Sequence, residues 1–192
     1  FFSRKEEVEG VILKGKGIYS TRVRPAERLC TLEGFNLPGF HNEENALAAV
    51  LAAHTAGVPN AAIQKALEGF SGLPHRIESV GTWEEVRYIN DSKSTTVSSA
   101  LRALETFPAP IFLIAGGRGK NEDFKNFSRT PLLKKVERMF LYGEAKEKIL
   151  SSVAGRVAAL PAGSFEEAVL LACHHARPGV TDRKDHLGVL LN

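Results

Sequence analysis

The sequence has little that would mark a secreted, membrane-bound or metal-holding protein. Its two cysteines, Cys30 and Cys173, lie far apart without metal-ligand spacing, which fits a reducing cytoplasm better than a disulfide scaffold. No run is long and apolar enough to cross a bilayer as a helix, and the start lacks the charged-then-apolar order of a signal peptide. Neither a G-x-S-x-G nucleophile elbow nor an H-E-x-x-H zinc motif occurs. A single-sign charge stripe is missing too. The 25 basic and 22 acidic side chains are scattered and leave a formal charge of +3, which makes nucleic acid a poor partner and leaves small anions open. There is no initiating methionine, and two large apolar groups, Phe1 and Phe2, stand at the terminus, so the expectation is a chain cut from a longer protein.

What is present is ordinary for a folded chain of 192 residues: 43% hydrophobic and 24% charged side chains, enough to bury a core. The first forty residues hold short alternating segments, such as Val11-Ile12-Leu13 and Ile18-Tyr19-Ser20, broken by Gly15, Gly17, Pro25 and Gly34, which predicts small antiparallel strands. From Asn42 the pattern turns helical, with Asn42 as the expected cap, Glu43 and Glu44 at the positive start and Gly57 as the stop. Ile63, Ala66, Leu67 and Phe70 form the stripe of a second helix, and Gly69, Gly72 and Pro74 then mark a boundary between units 1–71 and 72–192.

Beyond that boundary strands and helices alternate. Strands are expected at 86–90, 111–115 and 139–142, and helices at 97–107 and 144–153, the signature of an α/β fold with a mostly parallel sheet. Ile111-Phe112-Leu113-Ile114-Ala115 is apolar on both faces, as a strand covered on both sides must be. Ser164-Phe165-Glu166-Glu167 reads as a capping box that opens a last helix, ending near Pro178.

Ligands in such sheets sit beyond the carboxyl ends of the strands, where loops and helix starts converge. Two segments qualify. Asn90-Asp91-Ser92-Lys93-Ser94-Thr95-Thr96 leaves a strand and enters a helix, where free N–H groups favour an anion, although simple capping explains the hydroxyls equally well. Gly116-Gly117-Arg118-Gly119-Lys120 pairs glycines with two cations, although glycines after a buried strand are often only turn residues. It is neither a Walker loop nor a dinucleotide fingerprint. His75-Arg76 at the boundary offers a guanidinium to phosphate or carboxylate, or else a solvated surface arginine. Cys173-His174-His175 lies within a helix, where adjacent side chains diverge, so no metal site is expected there.

Taken together, Gly39-Phe40-His41-Asn42-Glu43-Glu44-Asn45, Pro74-His75-Arg76, Asn90-Asp91-Ser92-Lys93-Ser94-Thr95 and Gly116-Gly117-Arg118-Gly119-Lys120 resemble the Mur ligase family, in its order and at its spacing. The loop at 91–95 followed by G-G-x-G-K resembles the members that add D-glutamate. The resemblance implies the tail of a central ATPase domain, α+β, followed by a Rossmann-like carboxy-terminal domain that receives the amino acid. It implies ATP-dependent amide ligation in the cytoplasm by a monomer, with ATP, Mg2+, D-glutamate and UDP-N-acetylmuramoyl-L-alanine as small-molecule partners. It places Asn42 and Asn45 near the adenine, and His75, Arg76 and Asp91 near ribose or phosphates. Lys93, Thr95 and Lys120 would surround D-glutamate, with Lys93 and Lys120 assisting catalysis.

Departures limit the expectation. No G-x-x-x-x-G-K-[ST] loop or magnesium-ligand region is present, so the chain by itself is expected to be inactive. The family's next strand should follow Pro178-Gly179. Instead Val180 to His186 intervenes before Leu187-Gly188-Val189-Leu190-Leu191-Asn192, which is either a delayed strand or an altered tail. Alternatives are a sibling or folylpolyglutamate-type ligase, or a binding domain that kept the fold and lost the chemistry.

Overall fold

The structure, a computed structural model, describes residues 1–23, 25–119, 123–176 and 186–191, with Ser128 and 186–191 described by backbone alone. The chain forms two units, Phe1–Gly72 and Leu73–Asn192.

In the first unit a four-stranded sheet runs β1 (Phe2–Ser3), β2 (Val11–Lys14), β3 (Gly17–Ser20) and β4 (Glu27–Thr31), in that order. The last three are antiparallel, as alternation predicts, while β1 adds parallel to β2. Helices α1 (Phe40–Thr55) and α2 (Asn60–Gly69) bring Leu47, Val50, Ile63 and Leu67 onto Val11, Ile18 and Leu29. The expected cap is corrected here. Helix α1 starts before Asn42: Gly39, at φ 94°, takes the N-cap position, and Asn42 lies inside the first turn. There its Nδ2 donates back to the Pro38 carbonyl at 2.7 Å, and the side chain is buried. Only glycine holds such a φ cheaply, so the cap falls where the backbone must turn.

The second unit is an α/β layer structure. Its strands are β5 (Glu78–Trp83), β6 (Val86–Asp91), β7 (Ile111–Gly116), β8 (Val136–Tyr142), β9 (Ala158–Pro161) and β10 (His186–Leu191). The spatial order is β5-β6-β10-β7-β8-β9, parallel except for the hairpin partner β5. Strand β10 is the delayed strand: it pairs with β6 on one side and β7 on the other, so the intervening segment postpones the strand without abolishing it.

Helices α3 (Val97–Thr106), α4 (Lys125–Arg129) and α5 (Lys146–Val153), with a 3-10 turn at Pro131–Lys135, pack on one face. Helix α6 (Phe165–Ala176) covers the other. The alternation of β7 explains the sandwich. Ile111, Leu113 and Ala115 point into the cluster with α3 and α5, while Phe112 and Ile114 point towards α6, and all five are at most 6% exposed. Ser164 opens α6 by accepting the Glu167 N–H at 3.1 Å. The Glu167 carboxylate reaches one residue further back than a capping box requires, taking the Gly163 N–H at 2.6 Å.

Candidate functional site

Strands β6 and β7 run parallel with β10 between them, so the loops that leave their carboxyl ends emerge on the same edge of the sheet. Those two loops share one cavity of about 380 Å3. Its exposed lining comes from Thr95 and Thr96 after β6 and from Arg118 after β7, and its buried lining includes Val97, Phe127, Ala145 and Ile149.

The loop after β6 is braced from beneath. Asp91 is only 3% exposed, and both carboxylate oxygens are used: Oδ1 accepts the Ile77 N–H at 3.0 Å and Oδ2 accepts the Ser94 hydroxyl. Ile77 sits at φ 47°, a conformation that costs a β-branched residue of order 1–2 kcal/mol, and the hydrogen bond to Asp91 helps to hold it. The loop after β6 is also tied through backbone to the turn before β5, since Lys93 N–H donates to the His75 carbonyl at 2.9 Å. Helix α3 is capped by Thr96, whose hydroxyl accepts the Ser99 N–H while the Ser99 hydroxyl accepts the Thr96 N–H. Capping is thus the work of Thr96, which leaves Thr95 exposed on the cavity and Ser94 turned inward to Asp91.

Lys93 is exposed and is not among the residues that line the cavity. Among the described residues Lys93 and Arg118 on these loops, and Arg76 in the turn before β5, enter no ion pair. Arg76 lies in an exposed turn between His75 at φ 64° and Ile77. Lys120, expected beside Lys93 around the amino acid, lies outside the described residues. Asn42 and Asn45 belong to the first unit, where Asn42 is buried and Asn45 exposed.

Gly116 at the end of β7 and Gly143 after β8 leave no room for a side chain. A Cβ on Gly116 would stand 2.1 Å from the Tyr142 carbonyl oxygen, and one on Gly143 would stand 2.8 Å from that of Gly117. Gly117 N–H donates to Tyr142 O and Gly117 O accepts the Ala145 N–H, so the loops after β7 and β8 interlock. Gly143 was not singled out from the sequence, because only the neighbouring strand makes its missing side chain matter. Burial raises the Tyr142 hydroxyl above the ordinary phenol range.

The sequence has no phosphate loop, and among the described residues no group of three or more His, Cys, Asp or Glu could hold a metal. At Cys173-His174-His175 the His175 ring packs 5.6 Å from Phe140, and burial, Arg138 and His174 push its pKa down. No helix among the described residues is long and apolar enough to cross a membrane.

No known family profile matches the chain. Solved structures match its fold. The UDP-N-acetylmuramate-alanine ligase MurC of Thermotoga maritima superposes with a TM-score of 0.67 at 18% identity, over 99% of this chain and 43% of that one. A pseudomurein peptide ligase type C of Methanothermus fervidus superposes at 0.72 and 15%, over 98% and 40%. The fold is therefore that of the Mur-type peptide ligases. In sequence the chain is homologous to a narrower group. It is 42% identical over 182 residues to the UDP-N-acetylmuramoylalanine--D-glutamate ligase of Pelotomaculum thermopropionicum, and 38% identical over 185 residues to that of Bdellovibrio bacteriovorus. Each match takes in 93% of this chain and 40% of the relative, so the chain spans two fifths of the length of these ligases.

Proposed function

We propose that the chain is the amino-acid-receiving part of an ATP-dependent ligase that joins D-glutamate to UDP-N-acetylmuramoyl-L-alanine, a cytoplasmic monomer of peptidoglycan synthesis. Residues 1–71 are read as the tail of the ATP-binding domain and 72–192 as the amino-acid domain. The observation that carries the reading is the 42% identity to a D-glutamate ligase along 93% of the chain. The cavity shared by the loops after β6 and β7 supports it.

D-glutamate brings two carboxylates and a nucleophilic amine. Lys93 and Thr95, with Lys120 on sequence grounds, receive the carboxylates; Thr95 lines the cavity together with Arg118, while Lys93 stands outside its lining. Fixed cations of this kind orient the amine and stabilise the charge that builds as the amide forms. Asn42, Asn45, His75, Arg76 and Asp91 are assigned to the nucleotide side. Among these, Asp91 acts by shaping the loop, since its oxygens are already engaged.

The test is a segment exchange. This chain replaces the matching segment of the Pelotomaculum ligase, and phosphate release is followed with ATP, UDP-N-acetylmuramoyl-L-alanine and a panel of amino acids. Release that depends on D-glutamate is expected. Dependence on another amino acid overturns the substrate, and silence with all of them overturns the ligase reading.

A further inference from the structure

The turn that precedes β5 and the end of β6 meet through side chains that the cavity does not use. Asn90 is their hub. Its Oδ1 accepts the Ser92 N–H at 3.0 Å, and a backbone amide can only donate, so the side-chain amide has one orientation. Its Nδ2 then faces the opposite way, donating to Glu78 Oε2 at 3.2 Å and to His75 Nδ1 at 2.8 Å. A carboxylate can only accept, so Glu78 fixes the same orientation independently of Ser92. Glu78 Oε2 also accepts the His75 backbone N–H at 2.8 Å but lies 3.8 Å from Nδ1, beyond hydrogen-bond reach. An imidazole nitrogen that accepts a hydrogen bond carries no proton, so the neutral ring holds its proton on Nε2. That nitrogen has no partner among the described residues, and the His75 side chain is 61% exposed.

We propose that Asn90 and Glu78 are positioning residues: they hold His75 as the Nε2–H tautomer and present that group as a fixed neutral donor to an acceptor oxygen of the ligand. Both hydrogens of the Asn90 amide are used, one to orient the ring and one to anchor the amide on Glu78. Arg76 beside His75, which enters no ion pair among the described residues, and Lys93, whose N–H holds the His75 carbonyl, favour an anionic ligand at this turn. Which ligand supplies the oxygen rests on the ligase reading above, whereas the tautomer does not.

Two-bond proton–nitrogen spectra of the intact chain, labelled at its six histidines, test the proposal near pH ~8, where imidazoles are neutral. The variant His75→Gln identifies the resonance. In the unsubstituted chain His75 is expected as Nε2–H alone. In Asn90→Asp the new carboxylate accepts instead of donating, and Nδ1 is expected to gain a proton. Glu78→Gln keeps an acceptor for the Asn90 amide and should keep the tautomer. A His75 that carries its proton on Nδ1, or that shows the tautomer mixture of the urea-unfolded chain, overturns the proposal without any variant. An Asn90→Asp chain that folds and leaves Nδ1 bare overturns it as well. The spectra need no ligand, so their outcome is separate from that of the segment exchange.

Discussion

Replacing Asp91 with alanine is expected to destabilise the second unit by about 3 kcal/mol and to release the turn at His75. The side chain is 3% exposed and accepts two hydrogen bonds, from the Ile77 N–H and the Ser94 hydroxyl. Removing a charged acceptor costs roughly 1.5–3 kcal/mol per hydrogen bond, and a buried donor left alone adds to that. The Ile77 N–H is such a donor, because Ile77 is 7% exposed and its N–H has no second acceptor among the groups described. The Ser94 hydroxyl, which can rotate, sets the lower end of the range. With a urea slope of ~2 kcal/mol/M for a unit of this size, the unfolding midpoint should fall by ~1.5 M. Asp91→Asn is the control. It keeps an oxygen for Ile77 and offers the Ser94 hydroxyl a donor to accept, so a loss of only ~1 kcal/mol is expected. Urea unfolding followed by circular dichroism gives the midpoints, and hydrogen exchange at the Ile77 amide reports the local release. An alanine variant within ~0.5 kcal/mol of the parent, or one whose Ile77 amide stays protected, would refute the bracing role.

The interlock of the loops after β7 and β8 makes two alanine substitutions unequal. Gly143 and Gly155 both adopt left-handed backbone, at φ 70° and 73°, but a Cβ on Gly143 meets three backbone atoms of Gly117 within 2.9 Å, whereas one on Gly155 meets nothing within 4 Å. Gly155→Ala should therefore cost only the ~1–2 kcal/mol of the conformation, while Gly143→Ala should cost more and shift the amide resonances of Gly117 and Arg118. Equal losses with unmoved resonances would count against the interlock. Burial raises the Cys30 thiol to about 11, against a small opposing effect of Arg28. At pH ~8 its thiolate fraction is then about a hundredth of that in the unfolded chain, and iodoacetamide should alkylate it about 100-fold more slowly. The fold favours the neutral thiol, so this contribution to stability is complete below about pH 9 and is lost as the pH climbs to about 11. Alkylation of Cys30 at the unfolded rate would contradict its burial.

Much of the second unit was legible because its signals are local. Five apolar residues in a row mark β7, Val97 to Leu104 carry the spacing of α3, and Ser164 with Glu167 marks the start of α6. Other elements left weaker traces. Strand β5, Glu-Ser-Val-Gly-Thr-Trp, is almost wholly exposed and has no buried face to impose alternation, and β9 is four residues at a sheet edge. Helix α1 was expected to start at Asn42 because asparagine is a good cap, but the φ of Gly39 decided the point.

The sequence by itself determined which segments are strands and helices at the centre of the second unit, and which residue types stand on the loops that leave β6 and β7. Periodicity, glycine and charge are properties of neighbours along the chain. Only the tertiary structure decided that the last strand lies between β6 and β7, that the loops after those two strands open on one cavity, and that Asp91 is sealed beneath its loop. It likewise decided that Asn90 faces His75. Pairings across fifteen to a hundred residues depend on which surfaces can be buried together, and that selection is made by the whole sheet and its covering helices.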